Sequence, residues 1–392
     1  MFVFTLIGVW EQRKLGEVTE KIGSGKTPKG GNSNYQSHGV ALIRSQNIFD
    51  DRVNNNDIAY ISDKVDNDMK NSRVFKNDVL LNITGASIGR SAVYQSSDTA
   101  NVNQHVCIIR PKDNIVSNFI QLNISSTKGQ KEIELNQAGG GREGLNFQQI
   151  AKMIFSYPSY DEQQVIGLFF EKINDTITLH QRKLDQLKEL KKAYLQLMFP
   201  KKDETVPRVR FADFEDDWQL CKLGETFSII MGQSPNSENY TENPDDYILV
   251  QGNSDMKNNK VVPRIWTTQV TKKAEKGDLI LSVRAPVGEI GKTDYNVVLG
   301  RGVAAVKGND FIFQQLRKMK DSGYWTRYST GSTFESINSN DIKEALINIP
   351  NKDEQQKIGD LFTHLDDAII LNQNKLNQLK SLKKSYLQNM FI

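Results

Sequence analysis

The chain has little cysteine and little histidine: its 392 residues contain two cysteines and four histidines. Cys107 and Cys221 stand in unrelated contexts, so they predict neither a disulfide framework nor a zinc site. No two histidines stand at the spacing of a metal-binding pair. The sequence therefore argues against disulfide-stabilised scaffolds, zinc fingers and thiol redox proteins.

A long hydrophobic run and a strong excess of one charge are also missing. The apolar segment at residues 1–10 is far shorter than the roughly 20 residues that span a bilayer, and no basic segment leads it. We therefore expect a cytoplasmic protein. The net charge of +3 is too small to indicate DNA binding by itself. A hydrophobic fraction of 38% fits a globular chain that is long enough for at least two domains.

Motifs of catalysis are missing as well. Gly25, Lys26 and Thr27 resemble the end of a phosphate-binding loop, but Glu20 stands where that motif needs its first glycine, and Pro28 follows at once. No glycine fingerprint for a dinucleotide follows a predicted strand. Asn243 and Pro244 are followed by two aspartates, where an amino-methyltransferase motif has a proline and an aromatic residue. We predict a chain without catalytic, cofactor or metal sites; a standalone nuclease or methyltransferase is the alternative, and no motif favours it.

What the sequence does contain is an internal repeat. Residues 161–199 align without gaps to residues 353–391, and about 24 of 39 positions are identical. The segments before each copy share Trp10 and Trp218, each followed by Lys-Leu-Gly-Glu, but are otherwise unlike. We predict the order of variable domain 1–157, helical region 158–200, variable domain 201–349 and helical region 350–392.

Each repeated segment is predicted to be one long helix, because its apolar residues recur at alternating spacings of three and four. An ordinary core helix is one interpretation. The other is that the two copies pair as an antiparallel coiled coil, about 58 Å long at 1.5 Å per residue. The residues predicted to pair are Ile166, Phe170, Ile173, Ile177, Leu184 and Leu187 in the first copy, and Ile358, Phe362, Leu365, Ile369, Leu376 and Leu379 in the second.

The variable domains are predicted to contain short strands and two helical segments. Strands are predicted at residues 40–44, 79–83, 106–110, 247–250 and 279–283, and helices at 118–134 and 311–322. The predicted fold class is α+β: two mixed globular domains separated by two long helices.

Polar and basic residues follow several of these strands. Arginine, glutamine and asparagine can make paired hydrogen bonds to purine edges in the major groove, and lysine, serine and threonine often hold phosphates. For any one residue, a solvated loop position is the competing interpretation. The DNA-binding candidates are Lys26, Thr27, Lys29, Arg44, Gln46, Asn47, Thr84, Ser87, Arg90, Gln104 and Arg142 in the first domain, and Gln233, Ser234, Gln251, Asn253, Arg284, Arg301, Ser332 and Thr333 in the second.

Two unlike domains, each introduced by Trp-x(3)-Lys-Leu-Gly-Glu and followed by Asp-Glu-Gln-Gln and a helix with Lys-Lys-x-Tyr-Leu-Gln, resemble the specificity subunit of Type I restriction-modification systems. Residues 158–199 and 350–391 look like that family's conserved regions, and the variable domains look like its target recognition domains. One departure is that nothing before Trp10 resembles the segment 206–211 that opens the second half.

The resemblance implies that each variable domain reads one half of an interrupted site on double-stranded DNA, and that the helices set the spacing. It also implies partners: two modification subunits, which bind S-adenosylmethionine and methylate adenine, and restriction subunits, which use ATP and Mg²⁺. The alternative function is a helical adaptor that assembles partner subunits without reading DNA.

Overall fold

The computed structural model of the chain describes residues 9–137, 144–201, 203–328 and 336–391. The chain forms two compact units. Unit 1 comprises residues 1–180 and 375–392, and unit 2 comprises residues 181–374. Each unit therefore holds one variable domain together with a part of both repeated helices.

Unit 1 contains twelve strands and four complete helices within the described ranges. The strands are β1 (Glu11–Lys14), β2 (Thr19–Ser24), β3 (Val40–Ile43), β4 (Ile48–Phe49), β5 (Arg52–Val53), β6 (Ala59–Ile61), β7 (Arg73–Val74), β8 (Val79–Asn82), β9 (Ser91–Val93), β10 (Ala100–Val102), β11 (Val106–Pro111) and β12 (Ile154–Tyr157). The helices are α1 (Asp63–Asp68), α2 (Ser117–Ser125), α3 (Thr127–Gln137) and α4 (Phe147–Lys152), and the long helix α5 (Tyr160–Leu197) starts here.

Two four-stranded sheets carry the domain of unit 1. Their strand orders are β6-β3-β10-β7 and β2-β11-β8-β9. β3 and β10 run parallel, with Ile43 opposite Val102, whereas β2 and β8 both run antiparallel to β11. The carboxyl ends of β2, β3, β8 and β10 therefore meet near the start of β11. Val79, Leu80 and Leu81 are all fully buried, as expected for a central strand covered on both faces.

Unit 2 repeats this plan with other residues. Its strands are β13 (Gln219–Lys222), β14 (Ile229–Met231), β15 (Tyr240–Thr241), β16 (Tyr247–Val250), β17 (Met256–Lys257), β18 (Lys260–Val261), β19 (Trp266–Thr267), β20 (Lys273–Ala274), β21 (Leu279–Ser282), β22 (Ile290–Lys292), β23 (Val297–Leu299), β24 (Val303–Val306) and β25 (Leu346–Ile349). Its helices are α6 (Leu223–Thr226), α7 (Asp310–Asp321) and α8 (Ser339–Lys343), and the second long helix α9 (Lys352–Met390) starts here.

The two main sheets of unit 2 have five and six strands, and four strands of each match a sheet of unit 1 in order and direction. They run β15-β19-β16-β23-β20 and β14-β24-β21-β22-β18-β17. β16 and β23 are parallel, and β14 and β21 are antiparallel to β24. The carboxyl ends of β14, β16, β21 and β23 thus meet as their counterparts do in unit 1. The predicted α+β class, with its two sheet-rich domains, is confirmed.

The helices begin where the repeat begins, but the residues that cap them lie just before it. Asp161 and Asp353 each precede a glutamine by three positions, a spacing typical of a reciprocal cap. Instead Ser159 Oγ accepts a hydrogen bond from the Glu162 amide at 3.3 Å, and Asn351 takes the same role in the second copy. Each helix starts one residue before the repeated segment, so the capping residue lies outside that segment.

The glutamine after each Asp-Glu pair fastens its helix to the adjoining domain. Gln163 donates to the Pro158 carbonyl at 3.0 Å and accepts from the Val116 amide at 3.1 Å. Gln355 bonds to Pro350 and Asn309 in the corresponding way. Both side chains are buried, so this repeated residue ties helix and domain together in each unit.

The residues predicted to pair the helices lie on their inner faces. Ile166, Phe170, Leu184, Ile358, Phe362, Leu365 and Leu376 are buried, and Ile173, Ile177, Leu187, Ile369 and Leu379 are half-buried. In unit 1 the start of α5 packs against the end of α9. In unit 2 the end of α5 packs against the start of α9. A continuous coiled coil over the full helix length stays a prediction.

Each unit contains an aromatic cluster in its core, and the two clusters use matched positions of the sequence. In unit 1, Phe391 at the end of α9 lies 5.5 Å from Phe119 and 6.3 Å from Phe170, ring centre to ring centre, and Trp10 lies beside them. In unit 2, Phe199 at the end of α5 contacts its counterparts, Phe311, Phe362 and Trp218. The repeated Phe of the sequence and Trp218 are therefore core residues, and Trp10 is partly buried against the core of unit 1. No helix in the described ranges is long and apolar enough to cross a membrane.

Candidate nucleic-acid interface

In unit 2 the predicted DNA-binding residues converge on one surface. We call this the unit 2 loop surface: the loops that follow β14, β16, β21 and β23. They enclose a hollow of about 600 Å³. The predicted residues that line it are Ser234, Gln251, Asn253, Arg284 and Arg301. They are up to 67 positions apart in sequence, and the four strand ends bring them together.

Hydrogen bonds hold the backbone of these loops in place. Ser234 Oγ accepts from the Arg301 amide at 3.0 Å, which joins the first and last loops. Ser282 Oγ donates to the Arg284 carbonyl at 2.8 Å. Asp255, which is almost fully buried, accepts from the Gln251 amide at 2.7 Å and anchors the loop after β16. The candidate side chains are therefore mounted on fixed turns, as a recognition surface requires.

The hollow is basic. Arg284 and Arg301 are exposed, and within the described ranges neither guanidinium group has a hydrogen-bond or ion-pair partner. None of the described residues that line the hollow carries a carboxylate. Gln251 is oriented by its amide nitrogen, which donates to the Tyr240 hydroxyl at 2.9 Å. Gln233 is exposed on the first loop, beside the hollow.

The equivalent loops of unit 1, after β2, β3, β8 and β10, form the unit 1 loop surface. Thr27 donates to Gln104 Oε1, and Gln104 Nε2 lies 3.3 Å from His105 Nε2. His105 Nδ1 lies 2.6 Å from Thr84 Oγ1. If Gln104 donates to Nε2, then Nδ1 carries the ring proton and donates to Thr84. One chain of hydrogen bonds thus links three of the four loops.

The first loop of each surface passes directly over the end of a neighbouring strand. A Cβ atom on Gly25 would come within 1.6 Å of the Val102 carbonyl, and one on Gly232 within 2.0 Å of the Gly300 carbonyl. Only glycine permits this approach. Each glycine belongs to a Gly-x-Ser/Thr-Pro sequence whose hydroxyl then bonds to the last loop. This repeated four-residue motif was a signal of the site that sequence reasoning missed.

The loop after β3 differs from the prediction. Asn47 is 1% exposed, its Oδ1 accepts from the Arg44 amide at 3.0 Å, and its amide nitrogen donates to the Asn54 carbonyl at 3.3 Å. It shapes the turn, as Asp255 does in unit 2, and is not available to DNA. Arg44 and Gln46 both donate to Asp57, a residue that the sequence reasoning did not select.

The other unit 1 candidates fall into two places. Lys26 and Lys29 are exposed on the loop after β2, and Ser87 belongs to the turn after β8. Arg90 is the last residue of the loop after β8, and it lines a hollow with Lys383 and Lys384 of α9. The predictions for Arg142, Ser332 and Thr333 lie outside the described residues. Among the described residues, no three histidine, cysteine or acidic side chains converge to hold a metal ion.

Two lysines at matched positions of the long helices are largely buried. Lys191 pairs with Asp366 in unit 2, and Lys383 pairs with Asp51 in unit 1. Burial lowers the pKa of Lys191 to about 8, with the nearby Arg317 acting in the same direction. Because each buried lysine has one acidic partner, each fixes the position of its helix within its unit.

Comparisons with known proteins agree with this architecture. The sequence model of the Type I restriction modification DNA specificity domain matches residues 8–189 and 215–381. The chain is 24% identical to the MjaX type I restriction enzyme specificity subunit of Methanocaldococcus jannaschii, over 96% of this chain and 92% of that one. It is 33% identical to the EcoBI specificity subunit of Escherichia coli over 33% of this chain and 27% of that one.

Among solved structures, the fold is similar to the S subunit of a Type I restriction-modification system from M. genitalium. The TM-score is 0.68 at 13% identity, and the match covers 100% of this chain and 98% of that one. At this identity the likeness supports the fold alone. The family match, in contrast, extends over both repeats and most of the sequence. The chain belongs to the Type I restriction modification DNA specificity domain family.

Proposed function

We propose that this chain is the DNA-reading subunit of a Type I restriction-modification complex, and that each loop surface reads one half of a bipartite site. One observation carries the proposal. Polar residues chosen from the sequence for their base-pairing chemistry converge on the same strand ends in both units, although the two loop sets differ in sequence. A repeated scaffold with two different surfaces suits a protein that reads two different half-sites.

The chemistry of the surfaces supports direct reading of bases. Arg284 and Arg301 offer free guanidinium groups, which can pair with the O6 and N7 atoms of guanine. Lys26 and Lys29 offer ammonium groups suited to phosphates. Positive groups on both surfaces would attract DNA even though the whole chain is nearly neutral, because association depends on the local field.

The long helices would set the distance between half-sites and dock the partners. α5 contains 38 residues and α9 contains 39, each without a break. Exposed leucines stand at matched positions of both: Leu179 with Leu371, and Leu190 with Leu382. Each helix thus exposes the same pair of leucines. Two matching apolar surfaces suit two copies of one partner, the modification subunit that binds S-adenosylmethionine. Restriction subunits would supply ATP-dependent cleavage with Mg²⁺, and this chain would supply no catalytic group.

The test is a methylation map of genomic DNA from cells that express the modification subunits with and without this chain. We expect adenine methylation at one bipartite sequence only when the chain is present. A second strain carries residues 9–157 exchanged for the corresponding domain of another family member. In that strain one half-site should change and the other should not.

The competing function, an adaptor that assembles subunits without reading DNA, predicts a different result. The exchange would then leave both half-sites as they were. Methylation without any sequence preference would contradict the proposal outright. Turnover by the purified chain alone would instead point to an enzyme.

A further inference from the structure

The segment between β3 and β6 in unit 1 carries a cluster of three side chains, Arg44, Gln46 and Asp57. Arg44 Nη2 donates to the Asp57 carbonyl at 2.6 Å and to Asp57 Oδ2 at 3.2 Å. Gln46 Nε2 donates to the same carboxylate oxygen. Asp57 is 76% exposed, and no described group donates to its Oδ1. Two donors are thus used up, and acceptor atoms are left free.

This arrangement reverses what the sequence suggested for Arg44. A free arginine would pair with guanine through two N–H groups. Here the Arg44 side chain is 19% exposed, Nη2 is held by Asp57, and the guanidinium lies 5.6 Å from the centre of the Tyr35 ring. Arg44 would have to leave its ion pair to reach guanine. Its present role is to hold Asp57 and to cancel its charge.

Cancelling that charge allows the carboxylate to approach DNA. The cluster is electrically neutral, because the Arg44 guanidinium balances Asp57. Its free acceptor atoms are Asp57 Oδ1 and Gln46 Oε1, since Gln46 donates to Asp57 through its nitrogen. Both are acceptors, so they fit a base edge that presents a donor. In the major groove that donor is an exocyclic amino group, on cytosine N4 or adenine N6.

The cluster lies on the unit 1 loop surface. The Asn103 amide donates to the Ile43 carbonyl at 3.2 Å, which joins the loops after β3 and β10. Asn82 Nδ2 donates to the Ser45 carbonyl at 2.9 Å, which joins the end of β8 to the same loop. The corresponding turn of unit 2, at Gln251, lines the hollow there.

We infer that Asp57 determines specificity at one position of the half-site read by unit 1, where it selects an amino-bearing base, cytosine or adenine, over guanine or thymine. This rests on the proposed function. Asp57 acts with Gln46 as a hydrogen-bond acceptor pair, and Arg44 positions it. Unit 2 differs, because its free arginines present donors.

The decisive variant is Asp57→Asn. It keeps the shape of the side chain but replaces the outward-facing acceptor oxygen with a donor NH₂ group. Arg44 and Gln46 both donate inward, so the asparagine oxygen must face them and its NH₂ group must face outward. The preferred base should then shift from cytosine or adenine to guanine or thymine at one position. Gln46→Met should weaken the selection there without reversing it.

The experiment uses the complex of this chain with its modification subunits. The half-sites come from the wild-type methylation map, and affinities are measured by fluorescence anisotropy on duplexes with each base of the first half-site replaced in turn. We expect the wild type to discriminate by about 5- to 150-fold at the Asp57 position, the range for one good base contact. Separate arms with cytosine and adenine identify which amino group is read.

The control is Asp113→Asn, an exposed carboxylate just after β11, at the opposite end of the sheet. It should bind every duplex as the wild type does. Equal melting temperatures confirm that the variants are folded. If Asp57→Asn and Gln46→Met keep the wild-type preference at every base, the inference is wrong. If the wild type itself shows no preferred sequence, the proposed function fails instead.

Discussion

Removing Arg301 from the unit 2 loop surface should weaken DNA binding in a way that tells a base contact from a phosphate contact. The backbone of Arg301 is held in place, because its amide donates a hydrogen bond to Ser234 Oγ at 3.0 Å. Its guanidinium group is exposed and has no described partner. Arg301→Gln therefore removes a charge and paired donors without breaking any described side-chain interaction of the folded chain.

The magnitude follows from the type of contact. If Arg301 pairs with a guanine, its loss costs about 1–3 kcal/mol, or about 5- to 150-fold in Kd. Specificity should then relax at one base of the second half-site only. If it holds a phosphate, all duplexes should weaken alike, and the slope of log K against log salt should fall by about 1. Arg284→Gln is expected to behave in one of the same two ways.

The assay is anisotropy with the assembled complex, over a series of salt concentrations and of base replacements in the second half-site. Lys276→Gln is a matched control, because it also removes one exposed positive charge and lies just before β21, at the end opposite to the loop surface. If Arg301→Gln and Arg284→Gln both bind all duplexes with wild-type Kd at every salt concentration, the unit 2 loop surface does not contact DNA.

Three further predictions concern the helices. Inserting one heptad into both α5 and α9 should lengthen the preferred gap between half-sites by about three base pairs, since seven residues add about 10.5 Å; an unchanged gap in the methylation map would rule out the spacer role. Phe199→Ala should lower the free energy of unfolding by about 3–5 kcal/mol, because it empties a buried aromatic cluster; urea titration measures this, and Leu179→Ala, at an exposed position, should cost far less. The pKa of Lys191 falls from its ordinary 10.5 to about 8 in the folded chain. Its proton is therefore lost there before it is lost from the unfolded chain, so wild-type stability should rise between pH 8 and pH 10.5, relative to Lys191→Met, by about 3 kcal/mol. Equal pH profiles for the two proteins would show that Lys191 is not desolvated.

Much of the scaffold was determined by the sequence because its signals are local or repeated. The three-four spacing of apolar residues needs no tertiary information, and it placed the long helices within two residues of α5 and α9. The Trp and Phe of the repeat were recognisable as shared, since the same core is built twice. The strands of residues 79–83 and 279–283 were evident from their apolar runs, which reflect burial on both faces.

The tertiary structure decided which loop residues form a surface and what each one does there. Thr27, Gln104 and Thr84 meet because three strand ends converge beside β11, and strand pairing over such distances leaves no mark on any one loop. Arg90 follows the same strand as Thr84, yet it lies with the lysines of α9.

The chemical roles depended on partners far away in the chain. Asn47 had the right side chain for reading adenine, but packing buries it and its hydrogen bonds shape a turn. Asp57 was overlooked because a lone acidic residue in a loop does not suggest DNA binding. Its contacts with Arg44 and Gln46 balance the charge of the carboxylate and leave Oδ1 as a free hydrogen-bond acceptor. Sequence supplies the types of donor and acceptor, and the fold decides which of them remain free.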